Sequence, residues 1–324
     1  MHDLIQEFSK EDIMVCEIKV VMVDARGNDE MGLDAKGIYR DAISCFWQEF
    51  YNTCTLGERE RVPALRHDFQ LNEWTAVARI IVKGFWDLGY FPVMLSKAFL
   101  AGVIFGEGLL FEETLLMSFY RYIAKDEEAT LHQAIREGNI SEEFVDLLDR
   151  FECRKIPTKE NATSLILEVA HKEIVQKPQY IADSWKDVLQ TGLHESKLSS
   201  LEGLYSMFED IEPTNKKVIG MIHASNVQPM SSSEQTTLQY LKRFVRGMEL
   251  AQLKSFLMFV MGADVICVKS ITIEFTRLEG LARRPIAHTC GCVLELPSTY
   301  DTYTEFRAEF NNVLTKEKWQ NDIM

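Results

Sequence analysis

Arg283-Arg-Pro-Ile-Ala-His-Thr-Cys-Gly-Cys292 runs without a break into Val293-Leu-Glu-Leu-Pro297. The first part is a dense polar cluster that ends in two cysteines. The second part alternates, with Cys292, Leu294 and Leu296 on one side of an extended chain and Val293 and Glu295 on the other, as a strand requires. Cys290 therefore stands where a loop becomes a strand, a place where a thiol can be reached. Upstream, Ile271, Ile273 and Phe275 alternate with Thr272 and Glu274, which reads as another strand. Further back, Leu238, Leu241, Val245 and Met248 mark one helix, and Leu253, Phe256, Leu257 and Val260 a second that ends at Gly262. Downstream, Thr302-x-x-Glu305 fits a capping box opening a helix with Tyr303, Phe306, Phe310 and Val313 on one face. Two helices, two strands and a helix make a small α/β unit.

A boundary precedes this unit. Asn226-Val-Gln-Pro-Met-Ser-Ser-Ser233 is polar, contains Pro229 and lacks an apolar period, so it reads as a hinge. The residues before it read as a larger, mostly helical body. Glu17-Ile-Lys-Val-Val-Met-Val-Asp24 alternates like a strand. Ile38, Ala42, Ile43, Phe46, Trp47 and Phe50 share a broad helical face. Asn72 to Glu113 is nearly continuous apolar sequence, and Trp47, Trp74, Trp86 and Trp185 read as packing residues. Phe144, Leu147, Leu148 and Phe151 form a short stripe in a charged region. Ile166, Val169, Ala170 and Ile174 mark a helix that stops at Lys177-Pro178.

The chain has 324 residues, 35 Lys plus Arg and 49 Asp plus Glu, a formal charge of −14. That balance disfavours a nucleic-acid partner bound through its phosphates and suits a partner with a basic surface. The stretch from Phe91 to Phe111 is broken by Lys97 and Glu107 and reads as buried core rather than a membrane span. The seven scattered cysteines read as thiols of a reducing compartment, the cytoplasm or nucleus. No phosphate loop, dinucleotide fingerprint, His-Glu-x-x-His or Gly-x-Ser-x-Gly occurs, and no cofactor is expected.

The chemistry concentrates around Cys290. Positive charge from Arg283, Arg284 and His288, close in sequence, would favour the thiolate below a free thiol's pKa of about 8.5. Gly291 would let another backbone approach the sulfur. Three readings compete. One is a structural cysteine pair beside surface arginines. Another is a zinc site on His288, Cys290 and Cys292, although no second short-spaced ligand pair accompanies it. The third is a nucleophilic thiolate suited to acyl transfer.

Arg284-Pro-Ile-Ala-His-Thr-Cys290, followed by Val293-Leu-Glu-Leu-Pro297 and Tyr300, resembles the catalytic-cysteine segment of HECT-type ubiquitin-protein ligases. Phe256-Leu-Met-Phe-Val-Met-Gly262 is similar to that family's Phe-Leu-x-Phe-Val-Thr-Gly. Gly32-Leu-Asp-Ala-Lys-Gly37 with Arg40 is similar to its Asp-x-Gly-Gly-x-x-Arg-Glu element, with Lys36 where the family usually has glycine and Asp41 where it has glutamate. Thr158-x-Glu160-Asn161 resembles the segment after the conjugating-enzyme subdomain. Asn321 stands where the family often has phenylalanine.

The resemblance implies an α+β, bilobal fold. A large, mostly helical N-lobe over 1–225 would include a shortened conjugating-enzyme-binding region near 120–163. Residues 226–233 would be the hinge, and 234–324 a C-lobe with the catalytic cysteine. It implies a ubiquitin thioester on Cys290, passed to lysines of protein substrates. His288 would orient or polarise the site and Thr289 would bond the oxyanion, while Asp301 or Glu305 would accept the lysine proton. The expected partners are ubiquitin, a ubiquitin-conjugating enzyme and protein substrates, with no nucleic acid and no membrane. Phe144, Leu147, Leu148 and Phe151 would either dock the conjugating enzyme as an exposed stripe or form an ordinary helix face. The alternative is a catalytically inactive HECT-like module that binds ubiquitin or a conjugating enzyme.

Overall fold

The computed structural model describes residues 1–21, 36–225 and 229–315. In chain order the helices are α1 (His2–Phe8), α2 (Gly37–Cys54), α3 (Leu71–Leu88), α4 (Lys97–Phe105), α5 (Glu112–Tyr122), α6 (Lys125–Glu137), α7 (Glu142–Arg150), α8 (Ala162–His171) and α9 (Gln179–Leu193). They continue with α10 (Leu201–Ile211), α11 (Asn215–Met221), α12 (Ser232–Arg246), α13 (Leu250–Met261) and α14 (Tyr303–Thr315). The strands are β1 (Thr55–Leu56), β2 (Val62–Pro63), β3 (Ile222–Ala224), β4 (Ile271–Thr276), β5 (Ile286–His288) and β6 (Val293–Pro297). This is the expected α+β class. No helix among the described residues is long and apolar enough to cross a membrane.

The chain divides into two units. The first comprises Met1–Cys16, Phe46–Phe85 and Phe91–Glu209, the second Glu17–Cys45, Trp86–Tyr90 and Asp210–Met324.

In the first unit the aromatic residues read from the sequence as core are core: Trp47, Trp74 and Trp185 are fully buried. Trp86 is the exception and belongs to the second unit, with half its surface exposed. The Ser96 hydroxyl caps α4 by accepting from the Phe99 N–H at 3.3 Å. Ile166, Val169, Ala170 and Ile174 are buried along α8 and the wider helical turn that follows it, which gives way at Pro178. Of the two readings of the α7 stripe, the ordinary helix face holds. Phe144, Leu147 and Leu148 lie inside the first unit, and the Phe151 ring stands 5.4 Å from that of Phe119. Positions i, i+3 and i+4 share a helix face, and here that face covers the core, so it presents no exposed docking stripe.

The second unit holds a four-stranded sheet in the order β3-β4-β6-β5. Strand β4 pairs in parallel with β3 (Ile222 opposite Ile271) and with β6 (Ile273 opposite Leu294). Strand β5 runs antiparallel to β6, with Ala287 opposite Leu294. Two of these strands, β4 and β6, match the alternation in the sequence. β3 and β5 are three residues each, too short for a period, and pairing alone defines them. The strand expected over 17–24 does not form over 17–21, and its remainder lies outside the described residues. So do Asn226–Gln228 of the expected hinge, while Ser232 and Ser233 already belong to α12. Ser231 and Glu234 form its capping box, the carboxylate accepting from the Ser231 N–H at 2.7 Å and the hydroxyl from the Glu234 N–H at 3.3 Å. Gly262 ends α13 with φ of +71°, in the left-handed region that glycine tolerates.

Candidate active site

The sequence places Cys290 at the start of a strand, and the structure makes it the apex of a hairpin. Strand β5 ends at His288, β6 begins at Val293, and Thr289–Cys292 turns between them. The Cys292 N–H donates to the Thr289 carbonyl at 3.3 Å and closes the turn, with Cys292 at φ +52°. Cys290 is partly exposed, whereas Cys292 is buried. Burial pushes the Cys292 thiol up, against the lowering influence of Arg40. Burial also pushes the Cys267 thiol up, to about 12. A nucleophilic thiol must be ionisable and reachable. Cys267 is partly exposed as well, but burial favours its protonated form, so of these three Cys290 at the hairpin apex fits best.

The positive charge expected from the local sequence goes elsewhere. Arg283 bonds Glu305 and Glu309, donates to the Thr299 carbonyl at 3.1 Å and stacks 4.7 Å from the Tyr300 ring centroid. The His288 Nε2 lies 2.9 Å from Glu295 Oε1 across the hairpin. Arg284 is exposed. Arg283 thus ties the hairpin region to α14 rather than serving the thiol. Arg283→Ala should lower stability by about 1–2 kcal/mol, since it loses several bonds to charged partners that solvent partly screens. Denaturant unfolding checks this, and an unchanged midpoint would refute it. The Glu305 carboxyl, held below its ordinary value chiefly by Arg283, and bonded by the Asp301 N–H at 3.1 Å, is a poor proton acceptor. Asp301 is exposed beside it.

The cation bonded to the Cys290 turn comes from the other end of the chain. Arg40 on α2 donates through Nε to the Met261 carbonyl at 2.8 Å, and through Nη2 to the Thr289 carbonyl at 2.5 Å and Cys292 Sγ at 3.5 Å. One turn along, the Ser44 hydroxyl donates to the Gly262 carbonyl at 3.2 Å. Two residues spaced i and i+4 thus satisfy carbonyls at the C-terminus of α13, where a cation is also favoured by the helix dipole. Gly37, in the same first turn of α2, lies against Cys290 itself. A Cβ there would stand 2.6 Å from the Cys290 nitrogen and 2.8 Å from its sulfur. The close backbone approach expected through Gly291 therefore comes through Gly37. Lys36, where the resembled family usually has glycine, takes the left-handed φ of +71° that glycine would adopt without strain. Its ammonium group donates to the Asp87 carbonyl at 2.8 Å.

In the sequence Arg40 is only part of a motif, with no sign of a role at the thiol. No local signal connects residues so far apart in the chain. Among the described residues no three His, Cys, Asp or Glu side chains converge on a metal site. A family model described as HECT-domain (ubiquitin-transferase) matches residues 98–318, more than half of the chain. No curated protein matches the chain.

Proposed function

This chain belongs to the HECT-domain (ubiquitin-transferase) family, and from that membership we propose that it carries ubiquitin on Cys290 and passes it to substrate lysines. The observation that supports this most directly is the partly exposed Cys290 at a hairpin apex, beside the buried Cys292. In the first step the Cys290 thiolate attacks the carbonyl carbon of the thioester joining ubiquitin to a conjugating enzyme. A carbon–sulfur bond forms to Cys290, and the bond to the conjugating enzyme's cysteine breaks, releasing that sulfur as a thiolate. In the second step a lysine amine attacks the new thioester. The isopeptide bond forms, Cys290 leaves as thiolate, and the amine's proton passes to solvent or a carboxylate. Exchange between two thioesters is nearly balanced in energy, so the protein's contribution is chiefly positioning, worth up to about 7–11 kcal/mol in well-oriented reactions.

His288, held by Glu295, would orient the hairpin, and the Thr289 side chain would face the developing oxyanion.

The test uses purified chain, ubiquitin, activating enzyme and a conjugating enzyme, quenched with and without thiol reductant. A ubiquitin adduct that reductant removes is expected in the parent chain and in Cys292→Ala, and is expected to vanish in Cys290→Ala. An adduct that persists in Cys290→Ala removes the assignment. No adduct in the parent chain, with ubiquitin or conjugating enzyme still bound, favours a non-catalytic module.

A further inference from the structure

We propose that Arg40 is the positioning residue of the Cys290 nucleophile. The role rests on the thiol function assigned above, but it concerns a residue outside the span that the family model matches. Arg40 is 6 % exposed. A buried cation is costly unless its donors are used, and here the donors used go to three acceptors. Two of these bracket the nucleophile: the carbonyl of Thr289, immediately before it, and the thiol of Cys292, two residues after it. The third, the Met261 carbonyl, anchors the guanidinium to the end of α13. The apex is therefore held from both sides by one planar group, while the Gly37 backbone lies against the Cys290 sulfur. A planar fork reaches these acceptors from two separate nitrogens, whereas the donors of an ammonium group all diverge from one.

The other titratable groups around the turn leave this role open to Arg40. His288 is engaged with Glu295, and Lys36 with the Asp87 carbonyl. Burial favours the protonated form of Cys267, Cys292 and Asp41, and Asp264 is likewise raised by burial while accepting from the Tyr90 hydroxyl at 2.9 Å. Arg40 thus fixes the residues on either side of the thiol, and with them the direction in which it faces.

The test follows Cys290 by the rate of iodoacetamide alkylation, read at the Cys290 peptide by mass spectrometry, together with single-turnover ubiquitin loading. In Arg40→Gln alkylation is expected to be faster than in the parent chain, because the released turn opens the thiol, while loading per folded molecule falls about tenfold. In Arg40→Lys the charge is kept but the planar fork is lost. Loading per folded molecule should still fall about tenfold, because the turn loses its two-sided hold. A merely structural arginine would lower loading only with the folded fraction, which a thermal melt reports. Unchanged loading per folded molecule in either variant overturns the proposal. Should Arg40→Gln fail to fold, Arg40→Lys decides the proposal alone. A parent chain that never loads ubiquitin defeats the transferase reading; faster Cys290 alkylation in the variants then still supports the role of Arg40, and an equal rate overturns it.

Discussion

Gly37→Val should reduce single-turnover ubiquitin loading by about a hundredfold while leaving Cys290 alkylation at least as fast as in the parent chain. The Cβ of any side chain at this position would meet the Cys290 nitrogen at 2.6 Å, its Cα at 2.8 Å and its sulfur at 2.8 Å. Two of those atoms are backbone and cannot rotate aside, so the hairpin apex or the first turn of α2 must shift. Arg40, in the same turn of α2, holds the flanking Thr289 carbonyl, so a shift there also strains the hold on the apex. Displacing a reacting atom by about 1 Å is enough for a loss of about a hundredfold in transfer. Alkylation by a small reagent has no such orientation requirement, and moving Gly37 away from the sulfur opens the thiol. Parallel measurement of the two rates checks the prediction. Equal loading in Gly37→Val and the parent chain would show that contact between α2 and the apex has no part in transfer.

The second large effect is on stability. Phe306→Ala should cost about 3–5 kcal/mol, as truncation of a fully buried aromatic ring does when its surroundings cannot collapse. Phe306 on α14 is fully buried, with ring centroids 5.1 Å from Phe310, 5.1 Å from Tyr300 and 6.0 Å from Phe244. Phe310 in turn lies 6.2 Å from Phe256 of α13. This cluster joins α12, α13 and α14 in the unit that carries the hairpin. Denaturant unfolding of the whole chain should register the loss as an earlier transition for that unit. A change below about 1 kcal/mol would mean that the ring is not what holds α14 in place.

Elements whose formation is local were legible. The helices over 250–261 and 303–315 follow from apolar residues at helical spacing, a glycine stop and a capping threonine, all within a few residues of one another. Strands β4 and β6 show a period of two over five or six residues, long enough to read. Cys290 was identifiable because its neighbours in sequence carry the motif. Strands β3 and β5 were not legible, since three residues show no period, and their identity comes from the partner strand. Arg283 was assigned to the thiol for its closeness in sequence, yet it stacks on Tyr300 and pairs with the carboxylates of α14. The α7 stripe had the pattern of an amphipathic helix but not the side to which its apolar face turns, and packing turned it inward.

From its amino acids alone this chain declared its class of structure, the longer segments that coil or extend, and the cysteine whose neighbours carry the family motif. Periodicity, caps and motifs act over a few residues, so they are written in the order of the chain. Which cation steadies that sulfur, and which backbone lies against it, depended on three-dimensional packing. Arg40 and Thr289 are 249 residues apart, and a contact across such a separation leaves no trace in either neighbourhood until the chain has folded.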